Sequence, residues 1–166
     1  MPMIPNAAAT ALILALMALP QALAAQQAVA FGGVRANTSA PVEVSADSLS
    51  VDQASGAATF SGNVVIGQGQ MRLSATSVRV EYGDKGQSQI RRLHATGKVT
   101  LVSGPDAAEA DEAVYEVDSG QVTLTGNVML AQGQNVLSGN RMVVDLKTGS
   151  ASVDGRVRSI LQPGGN

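Results

Sequence analysis

Apolar and polar residues alternate along most of this chain, in runs punctuated by glycine. Val42, Val44 and Ala46 share one parity, as do Ala58, Phe60, Val64 and Ile66, with Gly62 between them. The pattern returns at Leu93, Ala95, Gly97, Val99 and Leu101, and again at Val122, Leu124, Gly126, Val128 and Leu130. The other parity is polar: Thr59, Ser61 and Asn63; Thr96, Lys98 and Thr100; Thr123, Thr125 and Asn127. A period of two with one dry and one wet face predicts antiparallel strands covered on one side. From Val42 to Gln162 no window carries a helical period, and Pro105 is the only proline.

The runs themselves recur. Ser45-Ala46-Asp47 has counterparts at Ser74-Ala75-Thr76, Glu109-Ala110-Asp111 and Ser138-Gly139-Asn140. A Gly-x-Val step follows each, at Gly62-Asn63-Val64, Gly97-Lys98-Val99, Gly126-Asn127-Val128 and Gly155-Arg156-Val157. The period is 29 residues, and 17 separate the two signatures in three units; the second unit has 23 instead. Its extra residues fall at Gly83-Asp84-Lys85-Gly86, where they lengthen a hairpin tip and leave the strands in place. Gly56, Gly120 and Gly149 mark the other reversals. Fixed self-similarity predicts stacked units that bury their apolar faces only together. The expected fold is all-β: a twisted, open antiparallel β-roll of the jelly-roll kind, about eight strands from four 29-residue repeats. The Gly-x-Val glycine falls mid-strand on the inward parity. It reads first as a bend that curls the sheet, and second as a gap along an interior groove.

Composition adds boundaries. Ala7 to Leu19 is an apolar run broken only by Thr10, followed by Pro20 and Ala22-Leu23-Ala24, so residues 1–24 predict a cleavable signal peptide and export. No Lys or Arg precedes the run, and it is shorter than the ~20 residues a membrane anchor needs. Residues 25–40 read as a flexible leader, 41–162 as the β-domain and 163–166 as a tail. There is no cysteine, so packing and ladders alone must hold the exported domain. A net charge of −2 offers no footprint for nucleic acid.

Candidate chemistry is sparse. His94 is the single histidine; it falls on the outward parity, with no nucleophile elbow and too few ligands for zinc. The carboxylates Glu109, Asp111 and Glu112, and Asp47 with Asp52, recur beside turns and read as solvated edges rather than acid/base pairs. No catalytic residue, metal site or cofactor is expected. Arg91, Arg92, Lys98, Arg141, Arg156 and Arg158 could meet an anionic head group, although a scattered solvated surface is the plainer reading.

Pro41-Val42-Glu43-Val44-Ser45-Ala46-Asp47, Phe60-Ser61-Gly62-Asn63-Val64, Thr125-Gly126-Asn127-Val128 and the segment before Val80-Glu81 carry a resemblance. Over 41–162 the chain resembles the LptA/OstA-like family of periplasmic lipopolysaccharide transport proteins. The resemblance implies a periplasmic β-jelly-roll whose interior shields the acyl chains of lipopolysaccharide. It also implies head-to-tail homo-oligomers linking an LptC-like inner-membrane protein to an LptD-like outer-membrane protein. By family position and parity, the lipid-binding lining would include Thr38, Val42, Val44, Phe60, Val64, Leu101, Tyr115 and Val117. The competing reading is a structural or adhesive β-repeat protein of the envelope, with a fully packed interior. An enzyme stands third, and would need turnover that depends on His94.

Overall fold

The expected strands assemble into one antiparallel sheet. The computed structural model describes residues 28–30, 36–84 and 89–162; the expected signal peptide, 1–24, and tail, 163–166, lie outside them. The strands are β1 (Ala28–Ala30), β2 (Glu43–Ser45), β3 (Ser48–Val51), β4 (Ala58–Gln68), β5 (Met71–Tyr82) and β6 (Ile90–Ser103). β7 (Asp106–Glu116), β8 (Gln121–Gln132), β9 (Asn135–Asp145), β10 (Ser150–Asp154) and β11 (Arg158–Ile160) complete the set. The order across the sheet is β1-β10-β9-β8-β7-β6-β5-β4-β2, with β3 also on β4 and β11 also on β9. β2 with β3, and β10 with β11, are therefore single expected strands, each broken in the middle.

The breaks line up. In β4, β6 and β8 the register slips at Ser61/Val64, Thr96/Val99 and Thr125/Val128, so the Gly-x pair faces one residue of the next strand. Both members of each pair take the left-handed region: Gly62 and Asn63 (φ 80 and 45), Gly97 and Lys98 (82 and 49), Gly126 and Asn127 (82 and 47), Gly155 and Arg156 (78 and 49). Two such residues in succession turn the strand sharply and hand the following valine back to the inner face. The result is a crease running across the sheet.

The crease divides the sheet into two wings. The first contains β3, β10 and the parts of β4 to β9 paired through 58–61, 77–82, 92–96, 112–116, 121–125 and 141–145. The second contains β2, β11 and the parts paired through 64–68, 71–74, 99–103, 106–110, 128–132 and 135–139. Their inner faces form a single apolar core. Val64, Val78, Val122, Leu124, Met142 and Val144 are wholly removed from water, each burial worth roughly 1.5–3 kcal/mol.

The glycines correct the groove reading. A Cβ on Gly126 would stand 2.5 Å from Asp111 Oδ2, and one on Gly62 equally close to Asp47 Oδ2. These carboxylates accept from Asn127 Nδ2 and Asn63 Nδ2, both at 2.8 Å, on the exposed side of the crease. The glycines make room for a polar row outside the roll and leave no space inside it.

Two pieces of the expected leader, residues 28–30 and 36–40, are among the described residues. β1 pairs with Ser150–Ser152 on the outer edge of β10. Ala36 is buried, and its N–H donates to Leu146 O at 3.3 Å beside the β9–β10 turn of the first wing. Asn37 adjoins Gly69 at the β4–β5 turn of the second wing. Residues 36–40 thus pass between the wings as a strap.

Turn carboxylates hold two reversals of the first wing. The Asp145 carboxylate accepts from Lys147 N at 2.8 Å and Thr148 N at 3.0 Å; the Thr148 N–H above all holds its pKa below the usual value. At Asp52 the Ala54 N–H does the same. A depressed folded pKa adds stability above the unfolded pKa, and that stability is lost as pH falls through the folded one. Asp145→Asn should therefore melt below the parent by a constant margin above about pH 5, and the margin should narrow as pH falls through the lowered folded pKa. A margin unchanged at pH 2 would mean that charge has no part in this turn.

Candidate functional site

The interior between the wings is the place where the expected lining residues meet. Val64 and Leu101 project from the second wing, Tyr115 from the first, and all three are buried. Phe60, on the first wing, is half-buried and pairs with Val78 and Leu49. Val42, Val44 and Val117 are half-buried against the same core. Thr38, on the strap, contributes its carbonyl oxygen. The eight residues gather on one enclosed side of the sheet.

β7 shows how the lining is made. Ala108, Ala110 and Ala113 cover its inner face up to Tyr115, and Ala58, Ala75, Ala95 and Ala151 supply further small side chains on the neighbouring strands. Methyl groups let the wings approach closely and leave a smooth aliphatic surface. Among the described residues the inner faces of the two wings share one apolar core.

Gln68 stands between Gly67 and Gly69, at the approach to the β4–β5 turn. It is the last residue of β4, 1% exposed and turned inward. Its Oε1 accepts from Tyr115 Oη at 2.7 Å, a bond that joins the second wing to the first. Its Nε2 donates to Thr38 O at 3.1 Å and to Ala40 O at 3.0 Å on the strap. Burial pushes the Tyr115 phenol up, partly offset by the Gln68 contact, so the hydroxyl remains a donor. From Gln68 the register runs through Met71, Ser103, Asp106 and Gln132 along the free margin of the second wing. Ser103 and Asp106 are buried, and Gln132 Nε2 donates to Asp106 Oδ2 at 3.4 Å. The margin of the second wing is polar where its depth is aliphatic. Continuing the parity of Val64 and Ile66 by two residues would have found Gln68; its flanking glycines hid it.

The outer face carries the charge. Arg91 and Arg92 lie 3.1 and 3.6 Å from Glu81, and Arg92 lies 2.6 Å from Glu116. Arg141 lies 3.7 Å from Asp154, and His94 pairs with Glu112 across the ladder. Such exposed pairs stabilise little, but they neutralise half of the basic group named above. Lys98 and Arg156 stand apart on the crease and Arg158 on β11, so the described residues form no continuous basic patch.

A family model described as the LptA/(LptD N-terminal domain) LPS transport protein matches residues 43–150. An uncharacterized protein of Rhizobium meliloti is 29% identical over 141 residues, 79% of this chain and 76% of that protein. The lipopolysaccharide export system protein LptA of Escherichia coli K12 is 29% identical over 125 residues, 69% of this chain and just under two thirds, 64%, of that protein. The crystal structure of LptH, the LptA homologous periplasmic component of the lipopolysaccharide transport device of Pseudomonas aeruginosa, shares the fold. It aligns with a TM-score of 0.68 at 21% identity, over 77% of this chain and 99% of that one.

Proposed function

Because the chain belongs to the LptA/(LptD N-terminal domain) family of lipopolysaccharide transport proteins, we propose that it is a periplasmic carrier which holds the acyl chains of lipopolysaccharide between its wings. It is a transport protein and not an enzyme. The observation that carries the reading is the interior itself, aliphatic in depth, polar at one margin, and walled by two halves of one sheet. At ~0.8 kcal/mol per methylene, exposing a chain of about 12 carbons to water costs on the order of 10 kcal/mol. Parting the wings to admit such a chain exchanges wing-to-wing contact for wing-to-chain contact, hydrocarbon for hydrocarbon. A lining with few polar anchors releases its cargo as readily as it accepts it.

Export by a signal peptide and bridging between an LptC-like and an LptD-like protein belong to the same proposal. Among the described residues, β2 and β3 leave one sheet edge open, with Leu49 and Val51 exposed, and β11 leaves the other, with Val157, Ile160 and Leu161 exposed. Apolar side chains beside unpaired backbone suit strand addition from a second copy. The second edge is only partly open, since β1 already covers β10.

Crosslinking in cells tests the cargo. A photoreactive residue at Tyr115 or Val117 should capture lipopolysaccharide, and one at Val114 or Glu116, on the outward parity, should not. Equal capture from both parities would defeat the interior assignment. The closed packing of Val64, Leu101 and Tyr115 favours the structural β-repeat reading as the second choice. Protein purified from its native envelope without extractable lipid would decide for it.

A further inference from the structure

We propose that Gln68, oriented by Tyr115, is a carbonyl-binding site that grips the ester and amide linkages at the roots of the acyl chains. The strap occupies that site while the interior is empty. The inference rests on the transport reading above and adds a contact, a chemistry and a depth to it.

The orientation of the Gln68 amide follows from its partners. Thr38 O and Ala40 O can only accept, so the side of the amide that meets them at 3.1 and 3.0 Å must be Nε2 with its two N–H groups. Tyr115 Oη then meets Oε1 at 2.7 Å as the donor. The phenol holds the amide so that both N–H groups point at two carbonyl oxygens. A buried amide stripped of those acceptors is costly, so the strap cannot leave unless something equivalent replaces it.

The strap is built to leave intact. Its turn closes on itself through Ala40 N to Asn37 O at 2.9 Å and Ser39 N to Asn37 Oδ1 at 3.1 Å, neither bond involving the wings. Its two carbonyls would find water, and the Gln68 amide needs two new acceptors. An alkyl chain has none. The carbonyls that join acyl chains to a glycolipid's sugar are the same functional group as the strap's backbone. Gln68 stands at the margin of the second wing, beside the polar row through Ser103, Asp106 and Gln132, with Ile66 and Val64 deeper along its own strand. A lipid anchored there lays its tails inward and its sugar outward.

The test uses the full mature chain and two probes: lipopolysaccharide dispersed in buffer, and N-phenylnaphthylamine, which is apolar and has no carbonyl. Gln68→Met keeps the volume and removes both donors. Lipopolysaccharide affinity should fall roughly tenfold, while N-phenylnaphthylamine affinity holds or rises. If both affinities rise together, Gln68 only fastens the strap, and the proposal is wrong. If both fall together, or neither changes, it is wrong as well. An unsubstituted protein that takes up N-phenylnaphthylamine but no lipopolysaccharide would instead strike the transport reading itself. A second measurement needs no variant: the side-chain amide signal of Gln68 in nitrogen-15-labelled protein should move on adding lipopolysaccharide and stay in place with N-phenylnaphthylamine. A stationary signal with lipopolysaccharide bound would overturn the assignment.

Discussion

Gly126→Val should destabilise the protein by about 3–4 kcal/mol, read as a lower urea midpoint. Two costs combine. Gly126 lies at φ +82, a region a β-branched residue enters only under strain, and its new Cβ would meet Asp111 Oδ2 at 2.5 Å and Asp111 Cβ at 3.0 Å. Gly133 separates the two. It also has a left-handed φ, +57, in the β8–β9 turn, but a Cβ there meets nothing within 4 Å. Gly133→Val should therefore show only the conformational part, roughly 1–2 kcal/mol. Adding Asp111→Gly to Gly126→Val should recover the difference. Equal costs at the two positions would mean that the Asp111 contact does not hold the crease.

With head-to-tail stacking as proposed above, Leu49→Lys and Ile160→Lys should each leave a folded monomer, and the two variants mixed should form dimers and stop. Leu49 is 57% exposed on β3 and Ile160 56% exposed on β11, so neither substitution disturbs the core. Each places a charge on one open edge and leaves the other edge intact. In a head-to-tail contact, which joins two different surfaces, the good edge of one variant meets the good edge of the other exactly once. Analytical ultracentrifugation of the single variants and of the mixture distinguishes the cases. Dimers of either variant alone would point to a two-fold contact and defeat stacking by strand addition.

Much of the architecture was legible because alternation and turn glycines are local signals. Leu93, Ala95, Val99 and Leu101 fell inside by parity, and Gly56, Gly120 and Gly149 turned the chain where expected, at φ 68, 72 and 74. Strict alternation failed at the Gly-x pairs. Two left-handed residues in succession consume an even count, so the parity of Val64, Val99 and Val128 survives while the glycine before each leaves the inner face. β1 was hidden because Ala28-Val29-Ala30 carries no alternation, and its partner strand begins some hundred residues later, at Ser150. The polar part of the site was hidden for a related reason: Gln68 gains its meaning from Thr38, Ala40 and Tyr115, which only the folded sheet brings to it. The inward placement of Val64, Leu101 and Tyr115 needed no such partners and follows from alternation alone.

The crease also governs how much room the interior can offer. It crosses strands that are laced to their neighbours on both of its sides, so no strand can straighten at its own corner without pulling on the next. Walls so laced would part as a folded card opens, with one angle along the whole length. A copy of this protein would then have a single gauge at any moment and no row of independent slots. In the carrier proposed above, cargo with a wide cluster of tails would hold the whole interior open, and a slimmer molecule sharing it would ride loosely until the wider one had gone.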